Sequence, residues 1–122
     1  MAKVSTCISA LLRSLKPEQT KIEKIILFGS AARGDFSQTS DLDIAIIEDT
    51  EERFVRRAEK HYRKISVPCA LDLLVYTPAE FKRMKAEGSP FIHRIVREGR
   101  VLYEKKPKAR SRSVAKASGG RF

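Results

Sequence analysis

No apolar run in this chain approaches 18 residues, so none of it is built to cross a bilayer as a helix. The opening residues Met1-Ala2-Lys3-Val4-Ser5-Thr6 lack the apolar stretch of a signal peptide, and the expected setting is the cytoplasm, with no membrane partner. Cysteine is scarce. Cys7 and Cys69 are too few for a disulfide framework and are expected as reduced thiols. There is no G-x-x-x-x-G-K-[ST] run, which excludes a P-loop. The acidic spacing lacks the inner glycine and closing glutamate of an EF-hand. The two histidines, His61 and His93, have no acidic or cysteine neighbour at ligand spacing in the sequence, so neither is expected to bind metal. No internal repeat is present.

What the chain does have is a length of 122 residues with 42% apolar content, enough for one domain with one modest core. The net charge of +10 is unevenly placed. Residues 1–104 hold 18 Lys+Arg and all 15 Asp+Glu. Residues 105–122 hold 7 Lys+Arg, no acid and almost no large apolar residue. The reading is a folded domain over 1–104 and a basic, disordered tail over 105–122.

Val4, Ile8, Leu11, Leu12 and Leu15 share one helical face, which predicts a helix over about 2–15 that stops near Pro17. Short apolar runs at 24–28, 42–47 and 70–76 predict three strands, and Val101–Tyr103 a fourth. Between the first two lies a loop, 29–40, with a helical turn around Ala31-Ala32. A second amphipathic helix is predicted over about 51–65, with Arg56, Arg57, Lys60, Arg63 and Lys64 on a solvated outer face. Thr77-Pro78-Ala79-Glu80 is a capping box opening a third helix, and Ser89-Pro90 opens a fourth that ends at Gly99. Tyr62, Tyr76 and Cys69 are read as packing residues. The fold class is α+β, a small mixed sheet packed by helices.

Three features carry chemistry. Asp41 and Asp43 lie two apart at the start of a strand, so both side chains leave from the same face. Two carboxylates held together repel, and a divalent cation removes that cost. Asp72 sits between Leu71 and Leu73, where a lone carboxylate is expensive. If its strand lies beside 42–47, Asp72 completes a three-carboxylate cluster suited to one or two Mg²⁺ ions. Gly29-Ser30 follows the first strand directly. The glycine permits close approach of a ligand, the serine offers a hydroxyl, and Arg33 adds a cation for phosphate. A turn that grips phosphate facing carboxylates that grip Mg²⁺ describes a nucleoside-triphosphate site.

Gly29-Ser30, ten intervening residues, then Asp41-Leu42-Asp43 resembles the G-S-x(10)-D-x-D signature of the DNA polymerase β-like nucleotidyltransferase superfamily. The stretch FGSAARGDFSQTSDLDIAII is similar to the minimal nucleotidyltransferases, small proteins often found as antitoxins of HEPN-domain toxins. The resemblance covers about Ile22 to Tyr103. It implies the nucleotidyltransferase fold and Mg²⁺-dependent transfer of a nucleoside monophosphate, AMP from ATP, to a hydroxyl such as a tyrosine of a HEPN partner. It implies that Gly29, Ser30, Arg33 and Ser40 bind the nucleotide. It further implies that Asp41, Asp43 and Asp72 are the catalytic carboxylates and metal ligands. Ala31 departs from it, standing where many minimal members have an arginine. Two other functions compete: an antitoxin-like module that binds its partner without catalysis, and an RNA binder acting through the tail.

Overall fold

The computed structural model describes residues 3–34 and 41–106. Residues 35–40, with Ser40 among them, lie outside the described residues, as does most of the tail, 107–122.

The chain opens with helix α1, Val4–Leu15, and a single 3-10 turn at Lys16–Glu18. The α-helix gives way to the 3-10 turn just ahead of Pro17, which has no N–H to continue the helical hydrogen bonds. Strand β1, Ile22–Phe28, runs into a short helix α2, Gly29–Arg33, closed by Gly34 in the left-handed conformation. Strand β2 is Leu42–Glu48 and helix α3 Phe54–Lys64. Strand β3 is Leu71–Tyr76, followed by helices α4, Pro78–Ala86, and α5, Pro90–Glu98. Strand β4, Arg100–Glu104, completes the set. The observed β1 begins two residues earlier than its apolar run, because Ile22 is buried with the rest of the strand. Helix α3 starts three residues later than its pattern, because Arg53 is already extended. The expected helical turn around Ala31-Ala32 is a five-residue helix.

The sheet order is β3-β2-β1-β4. Strand β1 pairs antiparallel with both β2 and β4, and β2 pairs parallel with β3 across the α3 crossover. The sheet is therefore mixed. One face packs Ile25, Leu27, Ile44, Ile46, Leu73 and Val75 against Cys7, Leu11 and Leu15 of α1, with Ala58 of α3 alongside. The other packs Ile26, Ala45, Ile47 and Tyr76 against Ile92 and Ile95 of α5 and Phe81 and Met84 of α4. Strand β2 is covered on both faces, which is why LDIAII reads as an unbroken apolar run rather than an alternating one. Each fully buried isoleucine there contributes about 1.5–3 kcal/mol.

Three side-chain pairings differ from the expectation of solvated or merely packed residues. The Arg57 side chain is buried, not on the solvated face; it forks onto Glu80, with Nη1 donating to Oε1 at 2.7 Å and Nη2 to Oε2 at 3.0 Å. The same Glu80 closes the capping box with Thr77, as the sequence pattern implied. His61 is 1% exposed and lies 2.8 Å from Oε1 of buried Glu48, thirteen residues away, an acidic neighbour that local spacing does not reveal. Cys7 and Cys69 are joined in a disulfide, with Cα atoms 6.0 Å apart, which corrects the expectation of two free thiols. The bond ties α1 to the approach to β3 across 62 residues of chain, a separation no sequence pattern connects.

Beyond β4, the Lys105 N–H donates to Glu23 O at 2.9 Å and its ammonium to Thr20 O at 2.7 Å. No helix among the described residues is long and apolar enough to cross a membrane.

Candidate active site

The strand register assembles the carboxylates. Asp43 of β2 is paired with Asp72 of β3, and with Phe28 of β1 on its other side. Residues paired across neighbouring strands project from the same face of a sheet. Phe28, Asp43 and Asp72 thus form one row. The row lies on the α4–α5 face, one step beyond the Ile26–Ala45–Leu74 row, of which Ile26 and Ala45 are buried and Leu74 half-buried. Asp41, two residues before Asp43, leaves the chain just ahead of β2. The core ends where the carboxylates begin: Ala45 and Ile47 are buried, Asp43 is half-buried, and Asp41 and Asp72 are exposed.

The electrostatics of Asp43 report its neighbours. Its carboxyl titrates above the usual aspartate range, first because it is partly buried, then because Asp72 and Asp41 repel its charge. Arg33 acts in the opposite direction and favours the ionised form. All three aspartates singled out in the sequence, and Arg33, therefore act on one point. Arg33 also stands 3.9 Å from Glu98 of α5, which holds α2 against that helix.

Gly29 completes the arrangement. Its φ is +74°, a conformation that costs a side-chain-bearing residue about 1–2 kcal/mol. A Cβ built at this position would overlap the Asp43 carboxylate. The turn after β1 and the start of β2 are thus packed backbone against carboxylate, and no other residue type fits without displacing Asp43. Ser30 is half-buried at the second position of α2. Ala31 is 5% exposed and belongs to the core beside Leu42 and Ile44. The departure at Ala31 therefore fills an inward-facing position, while Arg33 is the cation of α2 that acts on Asp43.

These residues fit a divalent cation in kind. The donors are hard carboxylate oxygens from one end of one sheet face, and their mutual repulsion is what a cation relieves. As the side chains stand, no group of three or more His, Cys, Asp or Glu among the described residues converges closely enough to hold an ion. A concavity of about 520 Å³, lined among others by Lys21, Glu48, Asp49, Thr50 and Lys60, opens at the other end of β2 and mixes both signs of charge.

The sequence reading missed Tyr62. Its hydroxyl donates to Leu71 O at 3.2 Å and accepts from Leu73 N–H at 2.8 Å. Those residues flank Asp72. Its position four residues after Ala58 marks a contact with the sheet, but nothing in the sequence says which backbone groups the hydroxyl meets.

A mixed sheet that brings a Gly-Ser turn against a D-x-D strand and sets a third aspartate beside it is the arrangement of a polymerase β-type nucleotidyltransferase. The chain belongs to that family: the family model described as polymerase beta, nucleotidyltransferase, matches residues 11–108. A relative from Methanocaldococcus jannaschii, provisionally named a protein adenylyltransferase, is 37% identical over 98 residues, covering 79% of this chain and 94% of its own. Among solved structures, one provisionally described as a nucleotidyltransferase from Sulfolobus solfataricus shares 25% identity with a TM-score of 0.50, over 86% of this chain and 93% of that one. A toxin–antitoxin structure with AMP-PNP shares the fold at a TM-score of 0.53 and 18% identity, over 81% of this chain and 74% of that one. The protein is an enzyme, a nucleotidyltransferase.

Proposed function

We propose that this nucleotidyltransferase transfers AMP from ATP to a hydroxyl group of a partner protein, with Mg²⁺ bound at the carboxylate row. The observation that carries the reading is the register of Asp43 with Asp72, with Asp41 beside them and Gly29 closed against Asp43. Asp41, Asp43 and Asp72 would hold the metal. When bound, the metal neutralises charge on the phosphate oxygens and lowers the pKa of the acceptor hydroxyl.

The remaining roles belong to the chain's own residues. The Gly29 backbone lets the triphosphate approach closely, and the Ser30 hydroxyl and the Arg33 guanidinium contact its oxygens. Ser40, by its place before Asp41, joins the nucleotide site. The acceptor oxygen forms a bond to the α-phosphorus, and the bond from that phosphorus to the bridging oxygen breaks. Pyrophosphate leaves, and the hydroxyl proton passes to Asp72.

Adenine as the base and a protein as the acceptor rest on the 37% identical relative, named for protein adenylyltransfer. A HEPN-type toxin as that protein rests on the likeness of FGSAARGDFSQTSDLDIAII to the minimal nucleotidyltransferases. An ATP-consuming reaction of this kind points to the cytoplasm, a compartment in which a bond such as Cys7–Cys69 is uncommon. The basic 105–122 segment would add salt-sensitive attraction to nucleic acid.

The test uses the protein isolated together with its bound partner and incubated with Mg²⁺ and ATP radiolabelled at the α-phosphate. Label should stay on the partner after denaturation with the native chain and not with Asp43→Asn. Equal partner neutralisation by both, with no label transferred by either, would show a binding module instead.

A further inference from the structure

Strand β3 is an edge of the sheet, paired only with β2 among the described residues. Backbone groups of successive strand residues face alternate sides, so an edge strand presents every second N–H and C=O outward. The Leu42 N–H donates to Ala70 O at 2.9 Å, which fixes Ala70, and by alternation Asp72, as the residues bonded toward β2. Leu71 and Leu73 face away from it. Tyr62 of α3 takes both of those outward groups with a single hydroxyl.

We infer that Tyr62 is a positioning residue for Asp72: its hydroxyl clamps the outer edge of β3 on both sides of that carboxylate and holds it at the level with Asp43 that strand pairing sets. Asp72 is exposed and lies at the beginning of an edge strand, where the backbone has least to hold it. The clamp acts on the third carboxylate only, because Asp43 belongs to β2, which is held by strands on both sides, and Asp41 precedes that strand. Tyr62 is itself 44% exposed, and its ring adds less to the core than Ala58 or Ile65 beside it; the hydroxyl is the part that is engaged. Residues that orient a ligating carboxylate without touching the metal typically change metal affinity about 10- to 100-fold when removed. This inference rests on the reading of Asp72 as a metal ligand.

The experiment is Mn²⁺ titration followed by electron paramagnetic resonance, with amide hydrogen exchange and thermal melting in parallel, on the native chain, Tyr62→Phe and Asp72→Asn. Tyr62→Phe keeps the ring and should stay folded, melting several degrees below the native chain at most. It should bind Mn²⁺ about ten-fold more weakly and exchange the Leu73 amide faster. Asp72→Asn should lose Mn²⁺ binding at least as severely. Native Mn²⁺ affinity in Tyr62→Phe, with binding lost in Asp72→Asn, would overturn the positioning role while leaving the metal site standing. Native affinity in Asp72→Asn would overturn both, because the carboxylate that Tyr62 is argued to position would then hold nothing.

Discussion

Asp43 of β2 and Asp72 of β3 stand directly across from one another in a parallel strand pair, twenty-nine residues apart in the chain and on one face of the sheet. The Asp43 carboxyl is pushed up by burial and then by Asp72 and Asp41. The repulsion within this row costs the fold stability, and a cation bound there, as proposed, would relieve it.

Replacing Asp43 by Asn removes one charge from the row at nearly constant volume. At neutral pH the variant should fold and melt slightly above the native chain measured without divalent metal. Adding Mg²⁺ should raise the native melting temperature and leave that of the variant unmoved, because only a ligand that binds the folded state stabilises it. Differential scanning calorimetry with and without Mg²⁺ checks this. A variant that melts lower than the native chain and still responds to Mg²⁺ would contradict the assignment of Asp43.

Gly29→Ala tests the closeness of the turn to the carboxylate. The added methyl group meets Asp43 and the backbone is held at φ +74°. Stability should fall by about 1–3 kcal/mol and triphosphate binding should be lost, as read by urea titration and calorimetry. The same substitution at Gly34, where a Cβ meets nothing, should carry only the backbone cost and leave binding intact.

The Arg57–Glu80 fork gives a pH signature. Glu80 is lowered to about 2 from an ordinary 4.5, first by its hydrogen bonds from Arg57 and also by those from Thr77. A carboxylate whose folded pKa lies below its unfolded one contributes stability that is full above the unfolded value. That contribution fades as pH falls between about 4.5 and 2. Glu80→Gln should cost about 1–3 kcal/mol at pH 7 and progressively less across that window, measured by chemical denaturation at several pH values.

The Cys7–Cys69 bond predicts that thiol titration of the denatured, unreduced protein finds no free thiol at these positions. Closing a loop of 62 residues contributes about 4 kcal/mol in the chain-entropy account, so reduction should lower the melting temperature clearly. Two titratable thiols in the unreduced protein would disprove the bond.

Much of this protein is legible in one dimension because its signals are local. Alternating short apolar runs and amphipathic stretches fix the order of strands and helices. The Thr77–Glu80 box fixes the start of α4 to the residue. The two-residue spacing of Asp41 and Asp43 predicts that the two carboxylates lie close, and Asp41 does repel the Asp43 charge. Gly29-Ser30 and the D-x-D pair together point to phosphate and metal chemistry, and the family match agrees with that direction.

What the sequence could not decide depends on which distant segments meet. Strand pairing sets Asp72 level with Asp43 rather than with Ala45, and a slip of one residue would have sent it to the opposite face. The crossover of α3 carries Arg57 to Glu80, His61 to Glu48 and the Tyr62 hydroxyl to the backbone flanking Asp72, across 23 residues in the chain for Arg57 and fewer for the others. Each is a contact made by the same helix that the sequence shows only as a basic, amphipathic stretch. Periodicity states which face of that helix turns inward. Only the packing of α3 on the sheet decides which polar groups it finds there, because a buried arginine, histidine or hydroxyl is tolerated only where tertiary structure supplies its partner.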